Sequence, residues 1–168
     1  MDRLEALDAW LRDALGGRAF TREPASADAS FRRYFRVFSE GRTWVAMDAP
    51  PGHEDCRPFV KVASLMRGAG VHVPEIVAQD LAQGFLLLSD LGARTYLQAF
   101  DGTNEDRLFR DATAALVDWQ AASREGELPP YDEALLRREL SLFPDWYIGR
   151  HLGVTLDAEA AGDLEKVF

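Results

Sequence analysis

The sequence is short of the residues that most metal and redox chemistry needs. Cys56 is the only cysteine, and His53, His72 and His151 are the only histidines among 168 residues. That excludes an intrachain disulfide and a thiolate cluster for zinc. The cysteine falls near an expected helix start, where a thiolate would be favoured, but its isolation assigns it a structural place and no chemistry. Positive charge is scarce as well: 19 Lys and Arg face 28 Asp and Glu, a net charge of -9. Phosphate backbones and anionic lipid surfaces reward a basic face, so this balance argues against nucleic-acid and membrane partners, and any phosphate the chain binds has to be met locally. No apolar run approaches the roughly 20 residues of a membrane span. The opening Met1-Asp2-Arg3-Leu4-Glu5 starts an acidic amphipathic stretch rather than a secretory signal, which makes the cytoplasm the expected compartment.

What is present is enough apolar material for a core: 47% hydrophobic and 11% aromatic residues in a chain of single-domain length. Leu4, Leu7, Trp10 or Leu11, Ala14 and Leu15 recur at helical spacing, and Gly16-Gly17 ends the pattern, so the chain opens with an amphipathic helix. Residues 31–38 and 43–48 are aromatic and β-branched runs separated by Ser39-Glu40-Gly41-Arg42, a hairpin with a glycine turn. Phe59, Val60, Val62, Ala63, Leu65 and Met66 give a helical face over residues 55–67, with Glu54 and Asp55 as N-terminal caps and Gly68 and Gly70 as the exit. Residues 75–79 and 85–89 form a second hairpin, whose Phe85-Leu86-Leu87-Leu88 run is apolar throughout and therefore predicted to be central. After Gly92 the pattern is helical: Asn104 can cap a helix to about residue 122, and Asp132 another through residue 140 to 143. Two hairpins with a helix between them, then helices only from Ser89-Asp90-Leu91-Gly92 onward, define an α+β class.

One short element stands out against the acidic background. The small-residue run Ala25-Ser26-Ala27-Asp28-Ala29-Ser30 leads straight into Phe31-Arg32-Arg33-Tyr34-Phe35-Arg36, and three arginines on one element point to an anion. Period-2 geometry puts Arg32, Tyr34 and Arg36 on one face and Phe31, Arg33, Phe35 and Val37 on the other. The same arginines could instead keep an exposed strand soluble or pair with nearby acids.

Here the residues carry a resemblance. The run from Ser26 to Arg36, Val45-Ala46-Met47-Asp48-Ala49-Pro50-Pro51, Cys56-Arg57-Pro58-Phe59-Val60 and Gly84-Phe85-Leu86-Leu87-Leu88-Ser89-Asp90-Leu91-Gly92 closely resemble the aminoglycoside-phosphotransferase-like kinases. Within that group they look most like bacterial cell-wall sugar kinases, which phosphorylate the anomeric hydroxyl of N-acetylmuramate or N-acetylglucosamine. Leu136-Arg137-Arg138-Glu139-Leu140 and Leu142-Phe143-Pro144-Asp145-Trp146-Tyr147 extend the likeness. The resemblance implies a protein-kinase-like small lobe with hinge over residues 1–91, an antiparallel sheet plus a helix. The first helices of an incomplete α-helical large lobe follow over residues 92–168. It also implies ATP and Mg2+ as cofactors and an amino sugar as the second small-molecule partner.

From the resemblance come the candidate cofactor-binding residues. Asp28, Ala29 and Ser30 would let backbone N–H groups approach the nucleotide phosphates, Arg32 and Arg36 would supply cations, Met47 lies on the third strand, and Asp90 and Leu91 form the linker whose backbone reads adenine. Loss of Arg32 or Arg36 would then weaken ATP more than adenosine, and loss of Arg33, on the opposite face, would spare phosphate binding. The strand lysine of Val-Ala-x-Lys is missing from Val45-Ala46-Met47-Asp48, leaving Arg32, Arg36 or Lys61 to replace its charge.

The His-x-Asp-x-x-x-x-Asn loop that orients the acceptor and binds metal in this family does not occur in the sequence. The chain therefore reads as the amino-terminal portion of a kinase, with no catalytic residue or metal ligand of its own and no expected turnover by itself. The alternative is a non-catalytic, nucleotide- or partner-binding kinase-fold module. Leu108, Leu116, Trp119, Leu136, Leu140, Phe143, Trp146 and Tyr147 would then be uncovered helical faces open to self-association. The Trp146-Tyr147 pair could equally stack on a sugar or fill a core.

Overall fold

The structure, a computed structural model, describes residues 2–26 and 30–168. They form two compact units, Met1–Ala122 and Ser123–Phe168.

The first unit begins with α1 (Arg3–Ala14), started by a capping box in which Asp2 and Glu5 satisfy each other's backbone amides. Its buried residues are Leu7 and Leu11, one turn apart. The chain then builds a five-stranded, fully antiparallel sheet from β1 (Thr21–Ser26), β2 (Arg33–Ser39), β3 (Arg42–Asp48), β4 (Ile76–Asp80) and β5 (Phe85–Ser89), in the order β1-β2-β3-β5-β4. Between β3 and β4 runs α2 (Arg57–Gly68), and after β5 come α3 (Tyr96–Ala99) and α4 (Glu105–Ala121). This is the α+β order expected, an antiparallel sheet with a helix followed by helices alone, as in a kinase-like small lobe.

Alternation along the strands sorts the side chains into two cores. Phe35, Val37, Trp44, Ala46, Phe85 and Leu87 pack with Leu7, Leu11 and Leu15 of α1 and its C-cap. Met47, Ala49, Leu86 and Leu88 pack on the opposite face with Cys56 and the half-buried Tyr34, Val45, Phe59, Val60 and Ile76. Because β5 is hydrogen-bonded to β3 and β4 and covered on both faces, Phe85, Leu86, Leu87 and Leu88 are all buried. That accounts for its unbroken apolar run, each such side chain contributing about 1.5–3 kcal/mol by leaving water.

One carboxylate is sealed into the first of these faces. Asp48, fully buried at the end of β3, accepts from Arg3 Nε at 2.9 Å and from Arg33 Nε at 3.0 Å, and Arg3 also donates to the Gln83 carbonyl. The Arg3 guanidinium lies 4.3 Å above the Phe85 ring.

Several local readings change. Thr21–Ser26 is a strand that the sequence pattern did not reveal: Thr-Arg-Glu-Pro-Ala-Ser has no apolar alternation and contains Pro24, which only an edge strand tolerates. The strand after the small-residue run starts at Arg33 rather than at 31, so Phe31 and Arg32 precede the sheet. The N-cap of α2 is Cys56; Asp55 accepts from the Arg57 amide at 2.9 Å, but Glu54 is drawn into an ion pair with Arg32 and caps nothing. Asn104 precedes α4 without capping it through its side chain, because its amide donates to the Ala99 carbonyl and to Asp101, while Glu105 reaches back to the Gly102 amide.

In the second unit Asp132 caps α5 (Glu133–Leu142) by accepting from the Leu135 amide. The helix runs directly into a π-helix at Phe143–His151, whose wider turn brings Phe143, Tyr147 and His151 into a stacked column with 5.5 Å between successive rings. Arg150 lies 4.0 Å over Trp146. The closing α6 (Ala158–Val167) is tied to α5 by Arg137, which bonds both Glu133 and Glu165. Neither the π-helix nor α6 was read from the sequence.

Glycine at the β4–β5 turn is a sterically testable requirement. Gly84 has a left-handed φ of 74°, and a Cβ there would fall 1.9 Å from the Ala49 carbonyl oxygen, whereas Gly41, at φ 73°, has open space. Gly41→Ala should cost about 1–2 kcal/mol for the left-handed backbone alone. Gly84→Ala should cost at least about twice that, because the clash adds to it. Urea denaturation of the two variants checks the difference, and equal losses would refute the close approach.

Candidate functional site

The face of the sheet that packs on α2 carries the candidate residues. Tyr34 and Arg36 lie on this side of β2, whereas Arg33, with Phe35 and Val37, lies on the α1 side, as alternation required. Arg36 sits opposite Val45, which sits opposite Leu88, so it stands in the interior of the sheet rather than at its end.

Arg36 reaches across to the segment after β5. Its Nε donates to Asp90 Oδ2 at 2.7 Å, and its Nη2 donates to Asp90 Oδ1 at 3.1 Å and to the Gly92 carbonyl at 3.2 Å. The Gly92 amide donates back to Asp90 Oδ1 at 2.9 Å. Only 18% of the Arg36 side chain and 7% of the Asp90 side chain reach solvent. Hydrogen bonding from Arg36 holds the Asp90 carboxyl below the usual carboxylate range; burial opposes it, and the Gly92 amide and Thr43 add to it. Leu91, between the two held residues, is 53% exposed.

Arg32 is engaged elsewhere. Its Nε donates to Glu54 Oε2 at 3.1 Å, and its amide donates to Ser30 Oγ at 3.1 Å. Beside it Phe31 stacks on His53 with ring centroids 4.5 Å apart. The chain entering β2 is thereby held against the turn that leads into α2. Asp28 and Ala29 lie outside the described residues. Met47 is fully buried against Leu86 and α2, two cross-strand pairs along from Arg36 and Val45. Cys56 is buried in the same core, and burial pushes its thiol up, away from the reactive thiolate.

The structure thus brings Arg36, midway along β2, together with Asp90 and Leu91 just beyond the end of β5, and Ser30 and Arg32 together beside the turn that leads into α2. Two partners escaped the sequence reading: Glu54 for Arg32, and Asp90 for Arg36. The second had a visible signal, since Arg36 and Asp90 share the parity that faces α2. Among the described residues no three His, Cys, Asp or Glu side chains converge to hold a metal ion. They offer no fit to Mg2+. Nor, among the described residues, is any helix long and apolar enough to cross a membrane.

A five-stranded antiparallel sheet that leads through an ion-paired segment into helices has the order of a kinase-like small lobe. Residues 21–168 match the phosphotransferase enzyme family, APH, and the chain belongs to that family. It is 60% identical over 144 residues to the N-acetylmuramate/N-acetylglucosamine kinase of Pseudomonas aeruginosa, covering 86% of this chain and 43% of that protein. To the protein of the same name from Pseudomonas putida it is 51% identical over 170 residues, 95% of this chain and 50% of that one. To that of Neisseria meningitidis it is 42% identical over 158 residues, 91% and 47%. The chain spans about half the length of the curated relatives it matches.

The Asp90 shift predicts an acid response. Its folded value lies below the unfolded carboxylate value of about 3.9, so the stabilisation it confers is complete above that value and is lost as pH falls through the folded one. Asp90→Asn should therefore cost about 1–2 kcal/mol at neutral pH and progressively less in acid. Urea denaturation of both proteins across that window measures it. A deficit that persists undiminished at the acid end would count against the pairing.

Proposed function

We propose that these residues form the nucleotide-binding part of an ATP-dependent sugar kinase of the cytoplasm. It transfers phosphate to the anomeric hydroxyl of N-acetylmuramate or N-acetylglucosamine in cell-wall recycling. The observation that carries the reading is the 60% identity to a kinase of that name over 86% of this chain. The geometry supports it: the α2 face of the sheet ends at an ordered, polar linker suited to reading adenine through its backbone, and the approach to β2 is ordered beside the start of α2.

In this reading Asp28, Ala29 and Ser30 bring backbone N–H groups to the phosphates, and Arg32 stands nearest to them. Met47, fully buried, backs the site from within the core, and Asp90 and Leu91 border the base. Arg36 belongs to the same site through Asp90. Phosphoryl transfer also needs a group to orient the acceptor and ligands for Mg2+, and this reading assigns neither role to these 168 residues.

A second reading, self-association of a kinase-fold binding module, is favoured by apolar helical residues left in solvent: Leu116, Leu136, Phe143, Trp146 and Tyr147 are each 44% exposed or more, while Leu108, Trp119 and Leu140 are half-buried. Sedimentation of the chain over a range of concentrations separates a monomer from a second copy docked on those helices.

The kinase reading is tested with ATP and a panel of amino sugars, on a protein of the relatives' length carrying these 168 residues, scored for a new anomeric phosphate. N-acetylmuramate and N-acetylglucosamine should be turned over, and the 168-residue chain alone should give only background. Sustained turnover by the short chain, abolished by Arg36→Ala, would overturn the division of labour.

A further inference from the structure

Arginine on a phosphate-facing strand invites the role of phosphate ligand, yet the bonds Arg36 makes describe a different task. Its guanidinium is used as a fork on one carboxylate, with Nε and Nη2 each meeting an Asp90 oxygen, and Nη2 is shared with the Gly92 carbonyl. A fork of this kind fixes angle as well as distance. Moving the guanidinium to a phosphate would strand a carboxylate of which only 7% is exposed, an arrangement that costs more than an ordinary surface pair.

The three residues of the linker are closed into a ring. Asp90 accepts from Arg36 and from the Gly92 amide, and Gly92 takes a φ of 93° that turns its carbonyl to Arg36 while its amide faces Asp90. Leu91 is held from both flanks. The anchor is the sheet itself, because Arg36 lies mid-strand in β2 and the linker leaves from β5, with β3 between them.

We infer that Arg36 is a positioning residue for the nucleobase: through Asp90 and Gly92 it sets the backbone of residues 90–92 that reads the base, and it is not a ligand of the phosphates. The inference rests on the nucleotide reading above and gives one residue of that site its role. A base read by backbone groups tolerates little angular error, so a linker fastened to the sheet binds it with less ordering cost than a mobile one.

The experiment compares the 168-residue chain with Arg36→Ala, Asp90→Asn, the double variant and Arg36→Lys. Without nucleotide, amide exchange is followed at Gly92, with Val37 and Leu87 of the core as references. With nucleotide, adenosine and ATP affinities are measured by calorimetry. Arg36→Ala and Asp90→Asn should each speed exchange at Gly92 while sparing the core amides. Each should weaken adenosine and ATP by the same factor, about tenfold for the loss of one charge-assisted contact. The double variant should be no worse than either single one, and Arg36→Lys, which keeps the charge without the fork, should restore only part of the loss. Asp90→Asn keeps the shape of the side chain and serves if Arg36→Ala does not fold. Selective weakening of ATP with adenosine unchanged would make Arg36 a phosphate ligand and overturn the inference. So would unaltered exchange at Gly92, or equal acceleration of the core amides. Should the unaltered chain bind neither adenosine nor ATP, the nucleotide reading falls with the role built on it, whereas the Gly92 amide still reports by itself whether Arg36 holds the linker.

Discussion

A carboxylate out of reach of water sits at the end of β3, and a negative charge in that position is tolerable only if cations come to it. Arg3 arrives from the first turn of α1 and Arg33 from the start of β2. Because Arg3 also holds the Gln83 carbonyl and covers the Phe85 ring, the requirement of Asp48 gathers the amino-terminal helix, the outer hairpin and the β4–β5 turn at one end of the sheet. Gly84 meets Ala49 at the same end, where the Ala49 amide donates to the Gly84 carbonyl at 2.8 Å. The Arg36–Asp90 pair lies on the other face and toward the other end of β5. The sheet is pinned by ion pairs at opposite corners, one sealed and one bordering the linker.

The two faces are covered unequally. α1 lays Leu7 and Leu11 wholly into its side, but α2 buries none of its own residues completely. The α1 face is a structural seam, with Phe35, Val37, Trp44 and Leu87 closed off. The α2 face retains half-buried Tyr34, Val45 and Arg36. One face of the sheet is thus closed apolar packing, while the other keeps polar side chains at its margin.

Much of this was legible because the informative signals were local. The two-residue turn Glu40-Gly41 pairs Ser39 with Arg42, and counting outward places Arg33 opposite Asp48 and Arg36 opposite Val45. The helical spacing of Leu7 and Leu11 and the four apolar residues of β5 likewise stated their burial in advance. What stayed hidden was decided by tertiary partners. Thr21–Ser26 is a strand because β2 offers it an edge, not through its own propensity. Glu54 looked like a cap because its attraction to Arg32 depends on a turn and a strand entry meeting in space. The π-helix follows α5 without any break that periodicity could register.

Both outermost strands are irregular. Along β1 the register slips between Pro24 and Ser26, and along β4 between Ile76 and Ala78. A proline removes a donor and a bulge bends the ribbon, so neither border presents the long, flat row of unpaired amides and carbonyls on which another chain could add a strand. The sheet is therefore finite by construction: growth into intermolecular β-structure is blocked at each side by a local defect in the ladder, and a substitution that straightened either border would expose the chain to fibrillar aggregation without touching its core.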